Sequence, residues 1–100
     1  MNTLVTDNIE LINNLCEKHK VDKLYAFGSV LTPRFMDTSD VDMLVKFHPI
    51  DLLQYSDNYF DLKFSLEEIL KRNVDLLEVQ AITNPYLLNT INSGKQLIYG

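Results

Sequence analysis

The sequence predicts a small α/β (α+β) fold, in which helices flank a mixed β-sheet. Segments with apolar residues at helical spacing alternate with short apolar runs bounded by glycine, proline or polar residues. Such alternation within one small chain is typical of a sheet covered by helices. The chain has 100 residues, of which 46% are hydrophobic, so it can build one core but not two. We therefore predict a single domain over residues 1–100.

Apolar side chains recur every three or four residues in three segments, and each of these segments predicts a helix. The first helix covers about residues 7–19, and Asp7 is a candidate for its N-terminal cap. The second helix covers about residues 51–71. The third has Asn84 as its cap and Pro85 in its first turn, and it ends near Gly94.

Four short segments have the apolar content or the alternation that is typical of β-strands. They are residues 24–27, 41–47, 74–79 and 96–99. In the second of these segments, four apolar residues occupy every other position: Val41, Met43, Val45 and Phe47. Because side chains alternate along a strand, these four should share one face of the sheet.

Nine basic and fourteen acidic residues give the chain a net charge of −5. This composition argues against non-specific binding to nucleic acid, which needs clustered Lys and Arg, so a bound polyanion would need metal ions to supply positive charge. Cys16 is the only cysteine, so no internal disulfide can form, and we expect its thiol in the core. Residues 1–10 lack the features of a signal peptide, and no apolar run approaches the roughly 20 residues that span a bilayer. We therefore expect a cytoplasmic protein that does not enter the membrane.

Two carboxylates stand together at the start of the second predicted strand, in Ser39-Asp40-Val41-Asp42. The alternation of a strand directs Asp40 and Asp42 to the same face. Carboxylates this close repel each other unless a cation lies between them, and hard oxygen ligands suit Mg²⁺ or Mn²⁺. The pair therefore indicates a divalent-metal site, although a turn cap at Asp40 and a solvated Asp42 would give the same pattern.

Gly28-Ser29 follows the first predicted strand. A glycine at this place lets the backbone approach a ligand closely. If a helix begins at Ser29, its free N–H groups and the Ser29 hydroxyl would favour a bound phosphate. As an isolated pair Gly-Ser indicates only a turn, so its significance depends on its spacing to Asp40.

That spacing resembles a known signature. Gly28-Ser29, ten intervening residues and then Asp40-Val41-Asp42 are similar to the G-S-x10-D-x-D motif of the minimal nucleotidyltransferases in the DNA polymerase β superfamily. The resemblance implies a polymerase-β-like nucleotidyltransferase fold, with Gly28 and Ser29 binding the phosphates of a nucleotide. It also implies that Asp40 and Asp42 hold two Mg²⁺ ions, for which Mn²⁺ can substitute.

The family also uses a third carboxylate from a neighbouring strand, as a metal ligand and as the acceptor of a proton. Asp75 is our candidate because it interrupts the apolar strand at residues 74–79, where a charged side chain is rare. Asp61 and Glu78 compete for this role. However, Asp61 falls in the second predicted helix, and Glu78 has the opposite strand parity to Asp75.

Many members of the family carry arginines just after Gly-Ser that bind the triphosphate, but here those positions are Val30 and Thr32. Arg34 is the nearest basic residue and is our candidate replacement, although an exposed surface arginine would look the same in the sequence. His19 and His48 have no second ligand at metal-binding spacing, so we interpret both as structural.

The resemblance implies a reaction in which a hydroxyl attacks the α-phosphate of a nucleoside triphosphate and expels pyrophosphate. Short nucleotidyltransferases of this kind are similar to antitoxins that are paired with a small helical toxin of the HEPN class. The leading hypothesis is therefore an antitoxin that moves AMP from ATP to a tyrosine of such a toxin. Two alternatives stay open: an antitoxin that neutralises its partner by contact alone, and a nucleotidyltransferase that acts on a small molecule or an RNA end.

Overall fold

The computed structural model describes residues 3–100. Along the chain the elements are α1 (Leu4–Asp7), α2 (Ile9–Lys18), β1 (Val21–Phe27), β2 (Val41–Phe47), α3 (Leu52–Leu70), β3 (Val74–Glu78), α4 (Pro85–Gly94) and β4 (Gln96–Tyr99). Two short 3-10 helices, Gly28–Leu31 and Val79–Ala81, follow β1 and β3. The predicted alternation of helices and strands is confirmed. No helix within residues 3–100 combines the length and the apolar character needed to cross a membrane.

The first predicted helix is confirmed as α2, which begins two residues later than expected because Asn8 separates it from α1. The backbone of Asn8 leaves helical geometry, with φ −113° and ψ 16°, and its side-chain amide donates to the Leu4 carbonyl at 2.8 Å. The expected cap at Asp7 is wrong. Asp7 is the last residue of α1, and its carboxylate accepts a hydrogen bond from the Thr3 hydroxyl at 3.0 Å.

The later helices begin and end where local chemistry predicts. Asp51 caps α3 by accepting from the Leu53 N–H at 3.1 Å, and Lys71 ends this helix in the left-handed region with φ 56°. Asn84 caps α4 by accepting from the Tyr86 N–H at 2.9 Å, with Pro85 in the first turn as predicted.

The four strands form one mixed sheet in the order β3-β2-β1-β4. β1 is antiparallel to both β2 and β4, whereas β2 and β3 are parallel. Parallel neighbours need a long crossover, and α3 supplies it between β2 and β3. As a consequence, the N-terminal ends of β2 and β3 lie side by side, next to the C-terminal end of β1.

One face of the sheet packs against α2 and α3 to form the main core. The predicted inward set on β2 is confirmed, since Val41, Met43 and Val45 are fully buried and Phe47 is 8% exposed. Cys16 of α2 is also fully buried, as expected, and burial raises the pKa of its thiol to about 12. The apolar stripe of α3 contributes the rest of this layer, through Leu62, Leu66 and Leu70.

Alternation directs the remaining side chains to the opposite face of the sheet, which we call the distal face. On β2 these are Asp42, Leu44 and Lys46, and on β1 they include Tyr25 and Phe27, which pair with Leu44 and Asp42. The polar groups of interest therefore lie on the distal face, away from α2 and α3.

Candidate active site

Asp42 and Asp75 lie next to each other on the two parallel strands. They are partners in the register of β2 and β3, so their side chains share the distal face at neighbouring positions. The pKa of Asp42 is raised, first by burial, then by the negative charge of Asp75 and then by that of Asp40. The structure therefore places Asp75 beside Asp42 and places Asp40 within electrostatic reach of Asp42. Asp75 is exposed on an edge strand, so it is open to approach from outside the sheet edge.

Asp40 differs from the other two because it precedes β2 instead of lying in it. It is exposed, and its residue number places it one strand repeat before Asp42. The next residue, Val41, donates its N–H to the carbonyl of Asn73 at 3.0 Å, which fixes the loop to the start of β3. Asp40 is thus held at the end of the sheet where β3, the strand that carries Asp75, begins.

Within residues 3–100, none of these three carboxylates makes a hydrogen bond or an ion pair with another side chain. The same residues contain no group of three or more His, Cys, Asp or Glu side chains placed so that together they could hold a metal ion. The cluster is therefore an open, uncompensated negative site and not a closed protein cage. Uncompensated carboxylates that repel each other are stabilised by a cation.

Gly28 directly follows β1 and lies against Asp42. Its φ is +75°, and a Cβ at this position would lie 2.5 Å from the Asp42 Oδ2 atom. Glycine is needed here for both reasons, because other residues disfavour the left-handed region and their Cβ would occupy the space of the carboxylate. The backbone of the Gly28-Ser29 turn consequently lies in contact with the acidic cluster.

The helix expected to begin at Ser29 is instead a four-residue 3-10 helix, Gly28–Leu31. It is too short to offer the aligned dipole of a long α-helix. The Ser29 carbonyl accepts from the Thr32 N–H and from the Thr32 hydroxyl, both at 2.9 Å. The Ser29 hydroxyl makes no hydrogen bond within the described part of the chain, so it is available to a ligand.

Arg34 lies in the loop between this 3-10 helix and β2 and is exposed. Its backbone N–H donates to the Thr32 hydroxyl at 3.3 Å. Its guanidinium contacts no other residue of the described chain through a hydrogen bond or ion pair. No contact ties Arg34 to the carboxylates among residues 3–100, so its predicted part in binding stays a prediction.

Sequence reasoning missed Arg72, which holds the loop before β2. Its Nη1 donates to the carbonyls of Met36, at 2.6 Å, and Ser39, at 3.3 Å, while its Nη2 lies 3.6 Å from the Asp37 carboxylate. The guanidinium also stacks over Phe35, 4.5 Å from the ring centroid. These contacts position the residues just before Asp40. A lone arginine after a helix carries no sequence signal for such a role.

The two competitors for the third carboxylate are engaged elsewhere. Asp61 pairs with His19, whose Nε2 lies 2.5 Å from the Asp61 Oδ2 atom, and this hydrogen bond lowers the pKa of Asp61. His19 is 4% exposed and links α2 to α3, as expected for a structural histidine. Glu78 accepts from the Ala81 N–H at 3.1 Å and so caps the second 3-10 helix.

Comparison with known proteins places these features in a family context. Residues 10–100 match the family model described as polymerase beta, nucleotidyltransferase. Two proteins of Methanocaldococcus jannaschii, MJ0126 and MJ0128, whose names assign them by prediction to the protein adenylyltransferases, are 36% and 37% identical over 86 residues. Each alignment covers 85% of this chain and 82% of the relative.

Solved structures show the same architecture. A minimal nucleotidyltransferase superimposes with a TM-score of 0.76 at 28% identity, covering 96% of this chain and 95% of that one. A chain from a toxin–antitoxin complex crystallised with AMP-PNP gives 0.73 at 22% identity, over 93% and 73% of the two chains. A chain from a Shewanella oneidensis complex, in which a tri-AMPylated HEPN toxin is bound to an MNT antitoxin, gives 0.67 at 20% identity, over 95% and 71%.

Proposed function

The chain belongs to the polymerase β nucleotidyltransferase family, and on that premise we propose that it transfers AMP from ATP to a hydroxyl of a partner protein. The observation that carries this proposal is the register of Asp42 with Asp75, together with the electrostatic coupling of Asp42 to Asp40. Three carboxylates that share one patch and lack a cation among the described residues have no evident structural purpose. Their arrangement suits a reaction that gathers positive charge around a polyanion.

The donor set of the site fits Mg²⁺ or Mn²⁺. Carboxylate oxygens are the ligands that these hard cations prefer, and Mg²⁺ usually keeps several waters and takes its remaining ligands from substrate phosphates. A closed cage of protein side chains is therefore not required, in agreement with the open cluster around Asp42. We assign Asp40, Asp42 and Asp75 as the residues that would hold the metal, with two ions per site as in the mechanism common to metal-dependent nucleotidyl transfer.

Each residue then has a defined task in the transfer of AMP. Bound Mg²⁺ would supply the positive charge that an acidic protein lacks for binding ATP. The backbone at Gly28 lies next to the Asp42 carboxylate, and it binds the outer phosphates together with the Ser29 hydroxyl. Asp75, which is exposed at the sheet edge, accepts the proton of the attacking hydroxyl as the new O–P bond forms. The bond from the α-phosphorus to the bridging oxygen breaks, and pyrophosphate leaves.

We propose that the acceptor is a tyrosine hydroxyl of a small helical toxin of the HEPN class, so that the protein acts as an antitoxin. Two findings support this choice. Relatives over 30% identical carry names that assign them to the protein adenylyltransferases. A structural neighbour is an MNT antitoxin complex whose HEPN toxin carries three AMP groups. Because ATP and such a toxin meet in the cytoplasm, we propose that compartment as the place of action.

Incubation of the protein with the candidate toxin, Mg²⁺ and ATP labelled at the α-phosphate tests the proposal. We expect label on the toxin, and a loss of about 100-fold or more in rate for Asp42→Asn or Asp75→Asn, since each removes a group that acts at the reacting phosphate. Glu17→Gln is the matched control, because Glu17 is exposed on α2, away from the acidic cluster. Equal labelling by wild type and Asp42→Asn would refute the assigned site.

The contact-only antitoxin is the second candidate, and the exposed apolar side chains of α3 favour it. Leu53, Phe60 and Phe64 are 90%, 51% and 57% exposed, which is unusual for large apolar residues and fits a surface that another protein covers. Growth rescue separates the two functions. An Asp42→Asn variant that protects cells from the toxin without labelling it would establish neutralisation by contact.

A further inference from the structure

The residues around the Gly28-Ser29 turn offer little positive charge for the outer phosphates of ATP. Val30 is 4% exposed and packs in the core, so the position after Ser29 cannot reach a ligand with a charged group. Among the described residues, Arg34 has no hydrogen bond or ion pair that directs its guanidinium to the site. On the proposed function the carboxylates would hold metal on one side of the Gly28-Ser29 turn, and the other side would need a cation from elsewhere in the chain.

The register of the sheet shows which residue occupies that other side. Asp75, Asp42 and Phe27 form a row across β3, β2 and β1 on the distal face. Gln96 of β4 pairs with Ala26. Lys95 immediately precedes β4 and has extended backbone geometry, so it is level with Phe27 and continues the row. Neighbouring strands are about 4.8 Å apart, which places the Lys95 backbone roughly 10 Å from that of Asp42.

The Lys95 side chain points to the distal face. Its Nζ lies 4.2 Å from the centroid of the Tyr25 ring, and Tyr25 belongs to the distal face because it pairs with Leu44. The ammonium makes no ion pair with any residue of the range 3–100. A cation–π contact orients an ammonium group but leaves its charge uncompensated, so the group can still bind an anion.

We infer that Lys95 binds a β- or γ-phosphate of the triphosphate, on the side of the Gly28-Ser29 turn opposite the carboxylates. This inference rests on the proposed function, because it assumes that a nucleoside triphosphate occupies the patch. In this arrangement the outer phosphates lie over Phe27, between metal held by the carboxylates and the Lys95 ammonium. Lys95 thus binds the triphosphate in place of the arginines that follow Gly-Ser in many members of the family.

Lys46 is a suitable comparison because it also lies on the distal face. It is four residues from Asp42 along β2, about 13 Å away at the usual rise of a strand. Its Nζ is 3.7 Å from the Asp22 carboxylate, so its charge already has a partner. Loss of Lys46 removes the same charge from the same face without affecting the row that contains Asp42.

Equilibrium binding of a non-hydrolysable ATP analogue with Mg²⁺, and of AMP, to the full chain tests the inference. For Lys95→Gln we expect the Kd of the analogue to rise about 10- to 100-fold, the usual effect of losing one charge-assisted hydrogen bond. The Kd of AMP should change less than about threefold, because AMP lacks the outer phosphates. Lys95→Arg should retain the affinity for the analogue, and Lys46→Gln should bind both ligands like wild type. Thermal unfolding of each free variant shows whether the fold is intact.

Two results would overturn the inference, and they differ in what they leave standing. If wild type binds the analogue and Lys95→Gln binds it equally well, or loses affinity for AMP to the same degree, Lys95 does not contact the outer phosphates and the proposed function stands. If wild type itself does not bind the analogue in the presence of Mg²⁺, the inference and the proposed function both fail.

Discussion

The contact between Gly28 and Asp42 gives the sharpest test of how the fold builds the site. A Cβ at residue 28 would lie 2.5 Å from the Asp42 Oδ2 atom, and the backbone there has φ +75°. Gly28→Ala should therefore cost about 1–2 kcal/mol for the left-handed backbone. We expect about 1 kcal/mol more for displacing the carboxylate, at the low end for overpacking because a carboxylate can rotate aside. The sum is about 2–3 kcal/mol of unfolding free energy.

A double-mutant cycle separates these two contributions. In an Asp42→Ala background the carboxylate is absent, so Gly28→Ala should cost only the backbone part, and the coupling energy should be about 1 kcal/mol. The assay is urea unfolding followed by circular dichroism in the presence of EDTA, with linear extrapolation to water. Gly94→Ala is the control, because a Cβ there meets no atom within 4 Å and the residue lies in α4. It should be neutral or stabilising by up to about 1 kcal/mol.

A coupling energy of zero would refute the reasoning, because the cost of Gly28→Ala would then be unrelated to the carboxylate. The same cycle has a functional readout. Rotation of the Asp42 carboxylate away from Asp75 should weaken Mn²⁺ binding by Gly28→Ala about tenfold or more, measured by electron paramagnetic resonance of the free ion. Unchanged Mn²⁺ affinity would show that the Gly28 turn does not position Asp42.

Three further predictions concern the loop and the titrating carboxylates. Arg72→Met removes two hydrogen bonds to loop carbonyls, so we expect a loss of about 1–3 kcal/mol in unfolding free energy and faster amide exchange just before Asp40, whereas Arg34→Met should change stability by less than about 0.5 kcal/mol. The pKa of Asp42 is raised above its unfolded value of 3.8, so the charged form of this side chain destabilises the fold. Asp42→Asn should therefore raise the midpoint of thermal unfolding at pH 7. This gain should vanish as the pH falls below about 4, where the Asp42 carboxyl is neutral in both the folded and the unfolded state. The pKa of Asp61 is lowered by its hydrogen bond to His19, so the pair stabilises the fold above pH 3.8, and this contribution is lost as the pH falls through the lower folded-state pKa. Asp61→Asn should therefore lower the midpoint of thermal unfolding at pH 7, and the difference from wild type should shrink in strong acid. An equal difference in midpoint at every pH would contradict the pairing.

Local patterns predicted much of the fold because their causes are local. The inward set of β2 follows from the alternation of side chains along any strand, and the parity of Asp40 and Asp42 follows from the same rule. Asn84 and Pro85 mark the start of α4 because a cap and a first-turn proline act within one helical turn. The Asp7 cap failed although it rests on the same rule, since Asn8 offered a competing local hydrogen bond to Leu4 that interrupts the helix.

The sequence by itself determined the family, the candidate carboxylates and the need for glycine near a ligand, because spacing and residue type are properties of short segments. Only the tertiary structure decided that Asp75 stands in register with Asp42, that Asp61 is engaged by His19, and that Lys95, just before the last strand, continues the row of Asp42. It also decided that Arg72 holds the loop before Asp40. These relations join residues that are 33 to 68 positions apart. They depend on strand order and on the packing of α3 across the sheet, which no local pattern specifies.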